Sequence, residues 1–114
     1  MVIAMEDIFN KSILYDLYGG LLSDNQKNVY EYHIIDDLSF SEIGEELGIS
    51  RQAAYDLFKN ADRKLINIDK KLQLSTRLRN VETLADEINK LSFKNSKIKN
   101  LSNKIINIVK GGNE

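Results

Sequence analysis

Hydrophobic positions recur at spacings of three and four residues along nearly the whole chain, a pattern typical of amphipathic α-helices. A first helix is predicted over about Glu6–Tyr18. The Gly19–Gly20 pair should end it, because glycine readily adopts the left-handed backbone that closes a helix. A second helix begins after Ser23, whose hydroxyl forms a capping box with Gln26, and runs to about Ile35.

Two further helices are predicted in the stretch "SFSEIGEELGISRQAAYD", residues 39–56. Ser39 and Glu42 form a second capping box, which opens a short helix. Ser50 caps the next helix, which starts at Arg51. This helix should be the longest, because apolar spacings of three and four then persist for more than twenty residues.

The C-terminal third keeps the helical pattern, with a predicted break at Ser92–Ser96 before a last helix. Its apolar steps between Val81 and Leu91 follow a heptad rhythm that is too short to define a coiled coil. We therefore predict an all-α fold, a helix-turn-helix bundle with a helical C-terminal extension. The predicted divisions are a helix-turn-helix domain over 1–72 with the motif at about 39–65, a dimerising extension over 73–110, and a frayed tail over 111–114.

Two glycines set the geometry of the predicted helix-turn-helix. Helices that cross steeply around a short turn need a small residue where their backbones meet, and Gly44 meets that need. The turn itself needs a residue that tolerates positive φ, and Gly48 does so. Apolar side chains should then fill the crossing, namely Ile43, Leu47, Ile49, Ala54 and Leu57.

Composition narrows the function classes. The 114 residues suffice for one domain with a core, and the lack of cysteine excludes disulfides, thiol nucleophiles and thiolate zinc sites. No apolar run approaches the ~20 residues that a membrane span requires. The start "MVIAMEDIFNKS" lacks a signal-peptide pattern. We expect a cytoplasmic protein without a membrane span, and we predict neither a cofactor nor a metal.

The net charge of −1 conceals an uneven distribution. Residues 1–50 hold two basic and ten acidic side chains, whereas residues 51–114 hold fourteen basic and seven acidic ones. Positive charge therefore begins at Arg51, the start of the predicted reading helix. Such asymmetry either marks an electrostatic footprint for nucleic acid or is neutralised when the acidic half folds against the basic half.

A helix that enters the major groove turns its outward N-terminal side chains to the bases. Arg51 then suits guanine and Gln52 suits adenine, while Tyr55 is placed to stack on a sugar or base or to bury itself in a protein partner. Serines near helix N-termini and basic residues farther along suit phosphates. The candidate DNA-binding residues are Ser39, Ser41, Ser50, Arg51, Gln52, Tyr55, Lys59 and Arg63.

A second interpretation keeps the motif as a scaffold only. Ser50 is needed as a helix cap with or without DNA. Arg51 can pair with Glu45 or Glu46 instead of a base, and Asp56 repels phosphate at the centre of the reading surface. Both interpretations remain open at the level of the sequence.

An enzymatic function finds little support. His33 with Asp36 and Asp37 is the only histidine–carboxylate cluster. One imidazole with two loop acids more often forms an interhelical hydrogen bond than a catalytic or metal site. The sequence shows no phosphate loop, nucleophile–base set or paired catalytic acids elsewhere. We therefore predict no catalytic residues.

The stretch "LSDNQKNVYEYHIIDDLSFSEIGEELGISRQAAYDLFKNADRKL" resembles region 4 of bacterial sigma factors, where a helix precedes the helix-turn-helix that reads promoter DNA. The opening "YDLYGGLLSDNQKNVYEYHIIDDLSFSEI", joined to "SRQAAYD", is similar to the YlxM/p13 family of small bacterial proteins. This resemblance covers about residues 13–75. At the position of Ala54 the family pattern more often has valine.

The resemblance implies a regulatory helix-turn-helix protein that binds double-stranded DNA. It also implies a role in the signal recognition particle pathway, since genes of the family tend to lie beside that of the particle's GTPase. The alternative that it leaves open is an accessory protein that binds protein or RNA components of the particle and keeps the motif as a scaffold.

The apolar stripe from Leu57 to Leu91 is longer than the N-terminal helices can cover, since a helix rises 1.5 Å per residue. Its far end must therefore pack on the C-terminal helices or on another copy. We predict a homodimer built partly from residues 65–109, which would suit a palindromic DNA site.

Overall fold

The computed structural model describes residues 5–92 and 94–111. All regular secondary structure in these ranges is helical, which confirms the predicted all-α fold. The prediction that the chain starts without a leader concerns residues 1–4, which lie outside the described residues. The same holds for residues 112–114 of the predicted tail. The α-helices are α1 (Met5–Tyr18), α2 (Asp24–Tyr30), α3 (Phe40–Leu47), α4 (Arg51–Leu72), α5 (Leu74–Leu91) and α6 (Ser96–Val109).

The chain divides into two compact units, Met1–Gln73 and Leu74–Glu114. In the first unit, α1, α2 and α3 all pack against α4, which has 22 residues and is the longest helix described, as its periodicity predicts. Four side chains of α4 are buried in this core: Ala54, Phe58, Ala61 and Leu65. No helix in residues 5–92 or 94–111 has the length and apolar character needed to cross a membrane.

An aromatic core joins the helices of the first unit. Tyr30 of α2 stacks between Tyr15 of α1 and Phe58 of α4, with ring centroids 5.3 and 5.2 Å apart. His33 stacks on Phe40 of α3 at 4.3 Å and meets the edge of Phe58 at 4.8 Å. One connected set of rings therefore touches all four helices, and Phe58, which meets Tyr30, His33 and Phe40, ties α4 to both α2 and α3.

The predicted capping boxes are both present. The Ser23 hydroxyl accepts a hydrogen bond from the Gln26 backbone N–H, and the Gln26 side chain accepts one from the Ser23 N–H. Ser39 and Glu42 form the same reciprocal pair at the start of α3. Between them α2 continues as a π-helical turn, Glu31–Ile35, so the second helical stretch ends where its periodicity predicts.

The reason predicted for the end of α1 is wrong. Neither Gly19 nor Gly20 has positive φ, and the chain continues there as a 3₁₀ turn over Gly19–Leu21. A Cβ at Gly19 would instead lie 2.9 Å from Cε1 of Tyr15, so glycine makes room for an aromatic ring. Apart from glycines, the described residues with positive φ are Asp37 and Gln73, at 57° and 56°.

The helix-turn-helix geometry is confirmed at both predicted glycines. A Cβ at Gly44 would lie 2.7 Å from the Ile49 carbonyl oxygen, so the turn backbone presses directly on α3. Gly48 has φ 69° and ψ 34°, the left-handed conformation that reverses the chain. Of the residues predicted to fill the crossing, Ile43 and Ala54 are fully buried, whereas Ile49 is 36% exposed and is less buried than predicted.

The second unit is a hairpin of α5 and α6, separated by the predicted break. The helices meet through small and polar side chains. Ala85 and Ser102 are each 1% exposed, and Asn89 Nδ2 donates to Ser102 Oγ at 3.1 Å. A salt bridge of 3.6 Å joins Lys110 to Glu82. Glu82 of α5 pairs with Lys110, whereas Asn89, farther along α5, pairs with the earlier residue Ser102. The two helices therefore run antiparallel.

Replacing Gly44 tests the close backbone contact. We expect Gly44→Ala to lower the free energy of unfolding by about 1–3 kcal/mol, because the added methyl meets backbone atoms that cannot move aside. This loss should exceed the gain of up to about 1 kcal/mol in helix propensity. Urea unfolding measures the effect. In the control Gly20→Ala the new Cβ meets nothing within 4 Å, and equal stability of the two variants would contradict the prediction.

Candidate nucleic-acid interface

Arg51 lies on the surface, directly after the turn between α3 and α4. Ser50 caps α4, its hydroxyl accepting a hydrogen bond from the Ala53 N–H at 3.0 Å. Arg51, the first helical residue, is exposed. Within the described part of the chain its guanidinium forms no ion pair with Glu45 or Glu46. The pairing that would compete with a nucleic acid is therefore absent at this position.

Gln52 and Asp56 interact with each other on the exposed side of α4. The Gln52 side-chain amide donates to Asp56 Oδ1 at 3.0 Å, one helical turn away. Reading of adenine by Gln52 would require the amide to exchange this bond for one to the base. Asp56 thus acts on the candidate reading surface through its negative charge and by holding the Gln52 side chain.

Tyr55 is 39% exposed and is anchored on one side. The Tyr55 and Phe40 rings meet edge to face, with their centroids 5.2 Å apart and their planes at 86°. The Lys59 ammonium lies 5.6 Å from the centre of the Tyr55 ring on α4. Tyr55 therefore links the aromatic core to a surface cation, and its remaining exposed portion is available to a partner.

The other candidates lie on the same two helices. Ser39 and Ser41 are exposed at the start of α3, and Arg63 is exposed farther along α4. The Ser39 and Ser50 hydroxyls already accept a backbone N–H as caps, but each keeps its O–H for donation to an acceptor such as phosphate. The structure thus brings the eight candidates to the beginnings of α3 and α4 and to the outer side of α4.

Of the histidine–carboxylate cluster, His33 is part of the packing, whereas Asp36 and Asp37 are exposed. His33 Nδ1–H donates to the Leu38 carbonyl at 2.9 Å, while its ring is held between Phe40 and Phe58. This bond closes the loop after the π-helical turn. Among the residues that the structure describes, no group of three or more histidines, aspartates or glutamates is arranged to hold a metal ion.

Comparison with known proteins places the chain in a family. Residues 5–105 match the family model UPF0122, described as "Putative helix-turn-helix protein, YlxM / p13 like". The chain belongs to the YlxM/p13-like helix-turn-helix family. The match covers the first unit and most of the second, so it extends well beyond residues 13–75, the part of the chain that carries the resemblance seen in the sequence.

Curated members of the family are similar over most of their length. The UPF0122 protein of Clostridium perfringens (strain 13 / Type A) is 43% identical over 99 residues, which cover 83% of this chain and 88% of the relative. The Clostridium novyi (strain NT) protein is 38% identical over 97 residues, covering 82% and 84%. The Thermoanaerobacter sp. (strain X514) protein is 39% identical over 85 residues, covering 75% and 73%.

In this YlxM/p13-like protein the acids of the second half of α4 face inward. Asp62 forms a salt bridge with Lys11 of α1 at 2.8 Å, and Asp69 accepts a hydrogen bond from the Tyr18 hydroxyl at 2.6 Å. The members of each pair are 51 residues apart, so α1 and α4 run parallel. These two contacts were not predicted. Their signal in the sequence is a shared spacing, since Lys11 and Tyr18 are seven residues apart and so are Asp62 and Asp69.

The cations of α4 occupy its exposed side. Because Asp62 and Asp69 are bonded to α1, the charged side chains exposed on α4 beyond Asp56 are all basic, and they lie among exposed amides and the partly exposed Ile66 and Leu72. The exposed cations are Lys59, Arg63, Lys64, Lys70 and Lys71. An open depression of about 310 Å³ lies among them, lined by Asn60, Arg63, Lys64, Asn67, Ile68 and Lys71. Such a surface attracts phosphate, although the chain as a whole is slightly acidic.

Tyr30 completes the inward network. Its buried hydroxyl donates to Asp62 Oδ1 at 3.2 Å. Burial raises the Tyr30 pKa well above its ordinary value, and the charge of Asp62 and its hydrogen bond act in the same direction. At the rim of the core, burial together with the bond to Glu31 raises the pKa of Tyr15 to about 12.

These raised tyrosine pKa values predict alkaline sensitivity. The unfolded chain loses tyrosine protons near pH 10, below the folded-state pKa values, so the free energy of unfolding should fall as pH rises above about 10. Tyr30→Phe should reduce this slope, and at pH 7 it should cost about 1 kcal/mol because Asp62 loses a donor. Urea titrations from pH 7 to 11 measure both. Tyr32→Phe is the control, and an unchanged slope in Tyr30→Phe would refute the assignment.

Serine substitutions separate capping from ligand contact. Ser39→Ala and Ser50→Ala should each lower the free energy of unfolding by about 1 kcal/mol without any nucleic acid, because each removes a helix cap. Ser41→Ala, at an exposed position in the first turn of α3, should change it by less than about 0.5 kcal/mol. Thermal or urea unfolding checks all three, and a Ser50→Ala protein as stable as Ser41→Ala would exclude the capping role.

Proposed function

We propose that this protein binds double-stranded DNA through the start of α4 and acts as a cytoplasmic regulator in the signal recognition particle pathway. One observation carries the DNA-binding proposal, namely the division of charge on α4. Its acids Asp62 and Asp69 are bonded to α1, while its basic residues beyond Asp56 are exposed. The family assignment supports a helix-turn-helix role, and the pathway is proposed from the gene neighbourhood of the family.

The proposal divides the interface into two parts. Arg51 and Gln52 read base edges in the major groove, because they lie at the N-terminal end of the second helix of the motif. Lys59 and Arg63, exposed two to three turns farther along α4, contact backbone phosphates together with Ser39, Ser41 and Ser50. Phosphate contacts position the helix and base contacts provide specificity, so the two groups should respond differently to substitution.

A second function is favoured by apolar surface beside the reading residues. Ile49 and Tyr55 are 36% and 39% exposed, and they flank Arg51 in sequence close to the exposed acids Glu45 and Glu46. Partly exposed aromatic and aliphatic side chains of this kind suit a protein interface. In this alternative the protein is an accessory factor that binds protein or RNA components of the signal recognition particle, and the motif serves as its scaffold.

The proposal includes a homodimer. Two copies related by a two-fold axis would present two α4 helices to successive turns of a palindromic site. Dimer formation would also double the number of phosphate contacts and thereby steepen the dependence of binding on salt.

Selection from genomic fragments followed by fluorescence anisotropy tests DNA binding. We expect Arg51→Ala and Gln52→Ala to reduce discrimination by about 5- to 150-fold at single positions. Lys59→Ala should weaken all sequences alike and lower the salt slope by about one. Asp56→Asn should raise affinity by removing repulsion of phosphate. Lys27→Ala, which changes a lysine on α2, is the matched control and should have little effect.

A selection at low salt that enriches no sequence would exclude specific DNA recognition. If the protein then retained the particle's GTPase or RNA in a pull-down, and Tyr55→Ala abolished that retention while Arg51→Ala did not, the accessory function would replace the DNA-binding one. Retention that depends on Lys59 and Arg63 but not on Tyr55 would instead indicate a nucleic-acid component as the partner.

A further inference from the structure

The second unit leaves a large apolar surface uncovered. Within α5 and α6 only Ala85 and Ser102 are buried, so this hairpin has almost no core of its own. Eight large aliphatic side chains of the two helices are between 38% and 85% exposed. They are Val81, Leu84, Ile88 and Leu91 of α5 and Ile98, Leu101, Ile105 and Ile108 of α6.

These eight side chains form one face, which we call the apolar face. On each helix they recur every three or four residues and lie roughly 110° around the helix axis from the side that meets the other helix, at about 100° per residue. The rotation has the same sense on both helices, counted from each N-terminus. Because α5 and α6 run antiparallel, equal rotations of the same sense bring both stripes to the same side of the hairpin.

The hairpin register arranges the apolar face in layers. Contacts of Asn89 with Ser102 and of Glu82 with Lys110 fix which residues lie at the same height along the two helices. With that register, each layer combines one side chain from each helix. The layers are Leu84 with Ile108, Ile88 with Ile105, and Leu91 with Leu101. Such regular layers are typical of the interior of a four-helix bundle, of which the hairpin supplies half.

The size of the apolar face matches a protein interface. Its exposed fractions correspond to roughly 700 Å² of accessible surface, close to the ~800 Å² that each partner contributes to an interface of standard size. The largest apolar patch on a typical monomer measures only about 300–600 Å². Exposure of this face to water in solution would therefore be unusual.

We propose that a second copy of the chain covers the apolar face, with α5 of each protomer lying over α6 of its partner in an antiparallel four-helix bundle. The two-fold axis runs parallel to the helices. This inference rests on the proposed function only for the homodimer, to which it assigns the surface and the geometry. It makes the second unit the dimerisation element and leaves ligand binding to the first.

Charge complementarity decides which helix faces which. Across Ser96–Val109, α6 carries Lys97, Lys99 and Lys104 and no acidic residue. Packing of α6 over the partner's α6 would therefore oppose lysines to lysines. Glu87 flanks the apolar stripe of α5 on its outer side, and Lys104 flanks that of α6 at the same height. Packing of α5 over α6 of the partner brings these opposite charges together twice, once on each side of the axis.

The apolar contact is tested by sedimentation of the full-length chain at micromolar concentration. We expect a dimer, and we expect Leu84→Lys to raise its Kd by about 30-fold or more because a charge replaces a central apolar contact in both copies. The control is Ile35→Lys, since Ile35 lies in the first unit and is 58% exposed, like Leu84 at 59%. Circular dichroism checks that both variants remain helical.

Charge reversal tests the pairing of helices. Glu87→Lys and Lys104→Glu should each raise the Kd by about 10-fold, since each places like charges together at both edges. A mixture of the two variants should restore the wild-type Kd, because at both edges a lysine of one variant then meets a glutamate of the other. Rescue by mixing cannot arise within one chain, so it reports the contact between copies.

Three outcomes would overturn the inference. They are a monomer throughout the micromolar range, a dimer weakened by Ile35→Lys and not by Leu84→Lys, and a mixture of charge variants that associates no better than either variant alone. All masses are measured without nucleic acid. A dimer that enriches no DNA sequence would therefore contradict only the DNA-binding function, whereas a monomer that enriches one would contradict the homodimer and its bundle and leave DNA binding supported.

Discussion

Contact between the α3 backbone and the following turn is the constraint on which the candidate interface depends. The Ile49 carbonyl oxygen lies so close to Gly44 that a Cβ added at this position would be only 2.7 Å from it, so only glycine fits there. That approach fixes the angle at which the chain leaves α3, and Gly48 supplies the left-handed residue that completes the reversal. Ser50 then caps α4 with Arg51 turned outward. The exposure of Arg51 is thus a consequence of backbone packing several residues earlier.

The position of α1 determines the charge of the outer surface of α4. Two contacts, Lys11 with Asp62 and Tyr18 with Asp69, join the parallel helices α1 and α4 and keep two carboxylates away from the exposed side of α4. A chain with a net charge of −1 can therefore present a basic surface where basic side chains follow one another along a helix. Overall charge is a poor guide to nucleic-acid binding in such a case, because the distribution of charge over the fold decides the local potential.

Features governed by neighbours in sequence were predictable, and those governed by distant side chains were not. Capping boxes at Ser23 and Ser39 and the glycine turn follow from local hydrogen bonds and local backbone angles. The role of Gly19 was mistaken because its constraint is the Tyr15 ring, not the backbone conformation. The bond between Gln52 and Asp56 is a side-chain contact that competes with base reading, and spacing alone does not reveal which partner wins. The roles of the candidate DNA-binding residues remain predictions.

The distribution of aromatic rings makes the two units spectroscopically distinct. All five tyrosines lie between positions 15 and 55, and the chain has no tryptophan. Near-ultraviolet absorption and emission of tyrosine therefore arise wholly from the first unit, while the helical signal in the far ultraviolet comes from both. A hairpin that melts separately would lower helicity with no accompanying change in tyrosine signal. The stacked rings that hold α1, α2 and α4 together thus act as an intrinsic reporter for the domain that carries the helix-turn-helix.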